Sequence, residues 1–287
     1  MESADRPLAV TGSLGQLGRA VLDAAAARHM PAEGRDIDTI DITDRDAVSR
    51  WLNDLQPWAV VNCAAYTAVD DCEIHEDNAR AVNATAVGHL ADACNRCGAG
   101  LIHLSTDYVF DGRSRRPYKE DDPVAPASAY GRTKLLGERL AATAKQHLIV
   151  RTAWLYGRGG RHFVGASRDQ IEAGNRRLRV VSDQQGSPTF GGDLAEAILD
   201  LSRLEVSGVV HAVNSGVTSW HGFAVEIARL LRAEVEVVPV TTDEFPRPAP
   251  RPAYSVLDTA RLVGLLGRPM PPWQDALARF LETPCAP

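Results

Sequence analysis

The 287-residue chain lacks any apolar run approaching the roughly 18 residues that a membrane helix needs, so no spanning segment is expected. Its amino terminus, MESADRPLAV, has no basic stretch followed by an apolar one, so no secretory signal is expected either. Basic charge is also short. Thirty-one Lys and Arg face 37 Asp and Glu, a formal net charge of −6. That balance argues against nucleic acid or an anionic membrane as partner, since both favour basic surfaces. It leaves an anionic small molecule open, because a few local arginines outweigh an average field. Cysteine is sparse and odd in number, with five residues at 63, 72, 94, 97 and 285, which is no secreted disulfide framework. Cys94 and Cys97 form one CxxC inside a helical stretch, without a second pair at ligand spacing, so they read as inert thiols and no metal is expected. There is no internal repeat and no low-complexity tail. These absences together point to a cytoplasmic globular protein.

What is present is ample core. Hydrophobic residues make up 45% of the chain, enough for one large α/β domain or two unequal lobes. Apolar runs at 8–12, 58–65, 101–110 and 147–155 alternate with helical stretches at 16–28, 44–55, 79–97 and 129–145. Strands buried on both faces and separated by helices predict an α/β fold with a doubly wound parallel sheet. The second strand, within 29–36, is poorly apolar and contains Pro31, so it reads as short or at an edge. After Tyr156 the rhythm loosens. Helices are expected over 192–204 and 219–232, a strand over 235–240, and a loop over 243–252, which carries four prolines. The expected organisation is a dinucleotide-binding core at 1–157 and a smaller carboxy-terminal substrate lobe at 158–287, with some segments returning to the core.

Between the first strand and first helix the chain reads TGSLGQLG, with Gly12, Gly15 and Gly18 in a G-x-x-G-x-x-G array. Glycines there permit a tight turn, let backbone N–H groups approach a pyrophosphate, and let the helix pack on the sheet. The strand–turn–helix setting is what gives the pattern meaning. Asp36 lies 18 residues beyond Gly18, about where an acid holds the adenine ribose of NAD. Arg35 beside it favours a 2′-phosphate, so the two point to different cofactors. NADPH is the expected cofactor, with NADH as the alternative.

In Tyr130-Gly-Arg-Thr-Lys134 the phenol and ammonium stand one helical turn apart on the same face. A phenol with a reference pKa near 10 needs a neighbouring cation to act as a proton donor at neutral pH. Lys134 can supply that charge and hold the nicotinamide ribose. Ser105-Thr106-Asp107 ends the preceding strand, at the sheet edge where ligands collect. The Thr106 hydroxyl can bond and polarise a substrate carbonyl. Ser105, pointing to the opposite face, reads equally as a buried hydroxyl satisfied by backbone.

These motifs resemble the extended short-chain dehydrogenase/reductases, specifically the dTDP-4-dehydrorhamnose reductase family. The resemblance runs over nearly the whole chain: TGSLGQLG (11–18), DITD (41–44), VVNCAAYTAVDDCE (60–73), LSTDYVFDG (104–112), YGRTKLLGE (130–138), VRTAWLYG (150–157), DQQGSPTFGGDLA (183–195) and RPAYSVLD (251–258). It implies a Rossmann fold and a catalytic set of Thr106, Tyr130 and Lys134. It implies cofactor contacts from Gly12, Gly15, Gln16, Leu17, Gly18, Arg35, Asp36, Asp41, Ile42, Ala64 and Ala65, with Tyr130 and Lys134. It implies that Thr67, Val69, Thr106, Asp107, Trp154 and Arg251 face a dTDP-sugar, Arg251 near its diphosphate. Core packing for Trp154 and a surface ion pair for Arg251 stay open as alternatives.

The implied activity is NAD(P)H-dependent reduction of the C4 keto group of a dTDP-4-keto-6-deoxyhexose, by a monomer or homodimer. Phe190 stands where the family often has Tyr, and Gly191-Gly192 where bulkier residues are usual, changes expected to touch the substrate side. Two other readings remain. A sugar-nucleotide epimerase or dehydratase would share the fold, but Thr106 is followed by Asp107-Tyr108 rather than the Asp-Glu of a dehydratase. A non-catalytic subunit like the regulatory subunit of methionine adenosyltransferase would share it too.

Overall fold

The computed structural model describes residues 6–204 and 206–282, so Cys285 and the first five residues lie outside it. Six parallel strands form the central sheet: β1 (Leu8–Thr11), β2 (Ala32–Arg35), β3 (Ala59–Asn62), β4 (Gly100–Thr106), β5 (His147–Thr152) and β6 (Gly208–His211). Their order is β2-β1-β3-β4-β5-β6.

Period-two alternation sends neighbours on each strand to opposite faces. Leu8, Val10, Val61, Leu104, Val150 and Val210 pack under the Gln16–Ala27, Gly191–Ser202 and Ala260–Leu266 helices. Ala9, Val60, Leu101 and Ile149 pack on the other face, against Val48 and Leu52 of the Arg45–Leu55 helix and Leu90 of the Ala86–Cys97 helix. With both faces covered, the strands read as near-continuous apolar runs. β2 is the exception: it is an edge strand, with no fully buried residue.

Several elements differ from the sequence-based expectation. The runs at 58–65 and 101–110 are strands only over Ala59–Asn62 and Gly100–Thr106, because their carboxyl ends peel off the sheet towards the ligand edge. β6 was not anticipated in the second half, yet it pairs with β5. Arg177–Val181 was also missed. It alternates Leu178 and Val180 inward with Arg177 and Arg179 outward, and pairs in parallel with Glu236–Val240. The Phe163–Glu172 and Trp220–Leu230 helices pack on this small sheet through Phe163, Ile171, Trp220 and Ala224. Among the described residues, no helix is long and apolar enough to cross a membrane.

Strand order reverses between β1 and β3, and that switch point opens a crevice at the carboxyl ends of the sheet. Beneath it a buried polar chain crosses three strands. Thr11 Oγ1 donates to Asn62 Oδ1 at 2.6 Å, and Asn62 Nδ2 meets His103 Nδ1 at 3.0 Å. Above it the glycine turn closes on itself. A Cβ on Gly18 would lie 2.1 Å from the Gly12 carbonyl oxygen. Gly18→Ala should therefore push the helix off β1, an overpacking cost of about 1–3 kcal/mol. For a chain of this size that is a fall in unfolding midpoint of roughly 2–5 °C by thermal scan; an unchanged midpoint would contradict the packing described.

Candidate active site

The turn after β1 is shaped for close approach. Gly12 has φ +65°, and a Cβ there would lie 2.6 Å from the Ala64 nitrogen, so the glycine loop and the segment after β3 nearly touch. Gly15 is the N-cap of the Gln16–Ala27 helix and offers no side chain to its first-turn N–H groups. Those donors remain available to an anion at the positive end of the helix. Leu17 is buried in the core beneath them, and Gln16 turns outward to donate to the Arg161 carbonyl at 3.1 Å. Ala65 follows Ala64 along the crevice edge.

At the end of β2 the two neighbours expected to read the adenosine ribose have different surroundings. Asp36 accepts from Leu14 N–H and Ile37 N–H, both at 2.8 Å, so its carboxylate braces the glycine loop. Arg35 bonds Glu33 at 3.0 Å and lies 5.9 Å over the Trp51 ring. It lines a recess with Arg50. Asp41 turns back onto Thr43, accepting from its N–H at 2.8 Å and its hydroxyl at 2.7 Å. Ile42 is buried in the core. Their side chains shape the turn leading into the next helix, so any ligand contact from Ile42 falls to its backbone.

Thr106, Tyr130 and Lys134 come together where β4 leaves the sheet. The Ala129–Ala141 helix starts on two fixed anchors: Ser128 Oγ accepts from Gly131 N–H at 3.1 Å, and Glu73 accepts from Ala129 N–H at 2.7 Å. Tyr130 therefore falls in the first turn and Lys134 in the second. Burial pushes the Tyr130 phenol up, with a hydrogen bond to the Thr106 hydroxyl pulling the other way and Asp107 pushing it further up. Thr106 Oγ1 donates to Asp107 Oδ1 at 2.9 Å and accepts from Tyr108 N–H at 3.2 Å. Burial also raises Asp107, to about 6.

Lys134 is buried, and its ammonium donates to the Leu104 carbonyl at 2.6 Å. The expected lowering of the phenol pKa by Lys134 does not accompany this arrangement, where burial dominates the phenol. Burial lowers Lys134 itself to about 8, against the pull of Glu138.

Glu138, one turn beyond Lys134, was not anticipated from sequence. It accepts from Arg151 Nε and Nη2 at 2.8 Å each and from Ser105 Oγ at 2.5 Å, all buried. Ser105 is thus a buried, satisfied hydroxyl, but its partner is the Glu138 side chain and not the backbone expected from sequence. Asn83, in a π-helical turn at Ala81–Thr85, was likewise missed. It accepts from Tyr66 N–H at 2.8 Å and donates to the Tyr66 carbonyl and Thr133, holding the 64–67 segment against the Tyr130 helix. A polar residue at an apolar helix position was the available signal.

Beside this cluster lies a cavity of about 990 Å3, lined by Thr67, Val69, Tyr108, Arg179 and Arg251 among others. Tyr108 joins the two regions, its ring meeting Tyr130 edge-on with centroids 5.5 Å apart. Trp154 is set back from the wall: it stacks on Trp220, which lines the cavity, at 3.6 Å. Phe190 and Gly192 do not line this cavity. They border a smaller recess with Gln16 and Phe280, because the short Thr189–Phe190 strand leads straight into the Gly191–Ser202 helix. Among the described residues, no group of three or more His, Cys, Asp or Glu could hold a metal ion.

The profile of the RmlD substrate binding domain matches residues 6–285. The chain is 46% identical over 272 residues to a probable dTDP-4,6-dihydroxy-2-methyloxan-3-one 4-ketoreductase of Streptomyces antibioticus, covering 93% of this chain and 92% of that one. It is 46% identical to dTDP-4-dehydrorhamnose reductase of Mycobacterium tuberculosis, covering 96% and 93%. The crystal structure of the Bacillus anthracis dTDP-4-dehydrorhamnose reductase in complex with NADP superposes with a TM-score of 0.93 at 35% identity, covering 97% and 99%. The chain belongs to the RmlD family.

In this RmlD-family chain the Thr106–Tyr130–Lys134 cluster hangs on one buried ion pair. Removing half of a buried pair leaves the other charge uncompensated, which costs about 3–5 kcal/mol. Glu138→Gln should lower unfolding free energy by that order in urea titrations, and a loss under about 1 kcal/mol would mean Arg151 finds another partner.

Proposed function

We propose that the chain is an NADPH-dependent reductase of the C4 keto group of a dTDP-4-keto-6-deoxyhexose. The observation that carries this reading is the meeting of Thr106, Tyr130 and Lys134 at the carboxyl end of β4, between the glycine-loop crevice and the arginine-lined cavity. The activities for which the similar relatives are named support the substrate class.

The glycine cradle fits a dinucleotide, because a Cβ at Gly12 or Gly18 would fill the space the backbone leaves open. Gly12, Gly15, Gly18, Ala64 and Ala65 hold it, with Gln16 and the Leu17 backbone at the helix start and the 41–42 backbone at the adenosine end. Arg35 takes the 2′-phosphate, while Asp36 steadies the loop. When bound, NADPH supplies the hydride. Thr106 turns its hydroxyl from Asp107 to the substrate carbonyl and fixes it. Tyr130 donates its phenolic proton to the oxygen as negative charge develops there. Lys134, released from the Leu104 carbonyl, holds the nicotinamide ribose and stabilises the phenolate. Thr67, Val69, Asp107 and Trp154, the last through its stack on Trp220, shape the sugar side, and Arg251 takes the diphosphate. Segments 161–184 and 242–251 form the substrate lobe of that cavity. Remote binding of the nucleotide orients the ring for reaction. The unpaired thiols of Cys63, Cys72, Cys94 and Cys97 suit a reducing cytoplasmic compartment.

The direct test generates dTDP-4-keto-6-deoxyglucose in place, with and without a 3,5-epimerase, and follows loss of reduced nicotinamide absorbance. Turnover is expected, and Tyr130→Phe should lower kcat by about 10²–10⁴-fold. Turnover only with the epimerase identifies a rhamnose-type reductase; turnover without it identifies a different deoxysugar. Cofactor binding with no turnover in either mixture would sink the reading in favour of a binding subunit. A second expectation concerns pH. Below about 8 Lys134 carries its proton, and above it the charge is lost. The kcat/KM for NADPH, which reports the free enzyme, should therefore fall as pH rises through that value. A profile flat across this range would remove Lys134 from cofactor binding.

A further inference from the structure

Asp70 belongs to the single-turn Val69–Cys72 helix after β3 and lines the large cavity. Among the described residues, the partners of its carboxylate come from the proline-rich loop that also lines the cavity. Arg251 Nη2 lies 3.0 Å from Oδ1, Arg247 Nη1 lies 3.9 Å from Oδ2, and Ala249 N–H donates to Oδ1 at 3.1 Å. Arg251 is drawn the same way by its own loop, since Nη1 donates to the Ala249 carbonyl at 3.1 Å. Arg251 is therefore turned onto this carboxylate rather than into the space it borders, and Arg247, which also lies 4.7 Å over the Phe245 ring, is held more loosely beside it. Arg179, which also lines the cavity, is similarly paired with Glu244 at 3.2 Å.

We propose that Asp70 is a built-in competing anion, which holds Arg251 and Arg247 in the free protein and yields them to the diphosphate of the incoming sugar nucleotide. This rests on the substrate class proposed above. The exchange is feasible because the Asp70 side chain is 31% exposed, and partly exposed ion pairs are weak. A diphosphate offers each guanidinium fork two oxygens, where one shared carboxylate offers less. The loop need not detach, since Asp70 can keep the Ala249 N–H while the arginines turn. Asp70 then stands as a like charge beside the phosphates. It weakens their binding, favours release of product, and disfavours singly charged ligands that cannot displace it.

The alternative is that Asp70 only anchors the loop. The two are separated by calorimetric titration of dTDP into the NADP+-loaded chain. Asp70→Asn removes the charge and keeps an acceptor for Ala249 N–H; Asp70→Glu keeps the charge. If Asp70 competes, Asp70→Asn binds dTDP roughly three- to tenfold more tightly than the natural chain. That ratio shrinks as added salt screens the pair, and Asp70→Glu stays at the natural affinity. Binding to Asp70→Asn with none detectable to the natural chain supports the proposal more strongly still. Equal or weaker binding by Asp70→Asn, or an equal gain in Asp70→Glu, overturns it and leaves the reductase reading standing. No dTDP binding by any of the three overturns both.

Discussion

The carboxylate of Glu138 sits where three parts of the molecule meet, and the reactive cluster depends on it. Through Arg151 it grips β5; through Ser105 it grips β4 one residue before Thr106; and it rides the helix that carries Tyr130 and Lys134. A buried charge of this kind is stable only with its lone pairs filled, and here the guanidinium and hydroxyl fill them. The angular relation between Thr106 and the Tyr130–Lys134 turn is thus set by an ionic contact below the reacting surface.

The same burial creates an electrostatic tension at Lys134. An ammonium removed from water loses its proton more readily, and the neighbouring groups are sparse in charge. Burial pushes the Cys63 thiol up to about 12, so it stays neutral beside the lysine. Glu138 opposes the loss from one turn away. The site therefore keeps its cation near the edge of ionisation.

How legible the molecule was depends on the distance along the chain over which each feature is encoded. The glycine turn and the Tyr130–Lys134 pair are written in spacings of three or four residues, so backbone geometry alone brings them together. The doubly wound sheet was readable because β1, β3, β4 and β5 are predominantly apolar and buried. By contrast, Asp36 carries the right residue type at the right spacing, yet its carboxylate turns to Leu14, a matter of loop path. Asp70 meets Arg251 from the other half of the chain, and nothing local to either residue signals the other. β6 and the Arg177–Val181 strand escaped for another reason. Four or five residues carry little periodicity, and arginines on the open face dilute it further.

The position of β6 in the chain has a consequence for how the protein is made. β5 is buried on both sides only when Gly208–His211 has been added, and the face under β1 is covered by Gly191–Ser202. On the ribosome, the nucleotide-binding half must wait with an unpaired strand edge, and an apolar face only partly covered by the Gln16–Ala27 helix, until about fifty further residues have emerged. The first of those intervening residues, within 161–184, contribute to the cavity wall. The two halves are therefore completed together, and neither has a finished interior to fold around by itself.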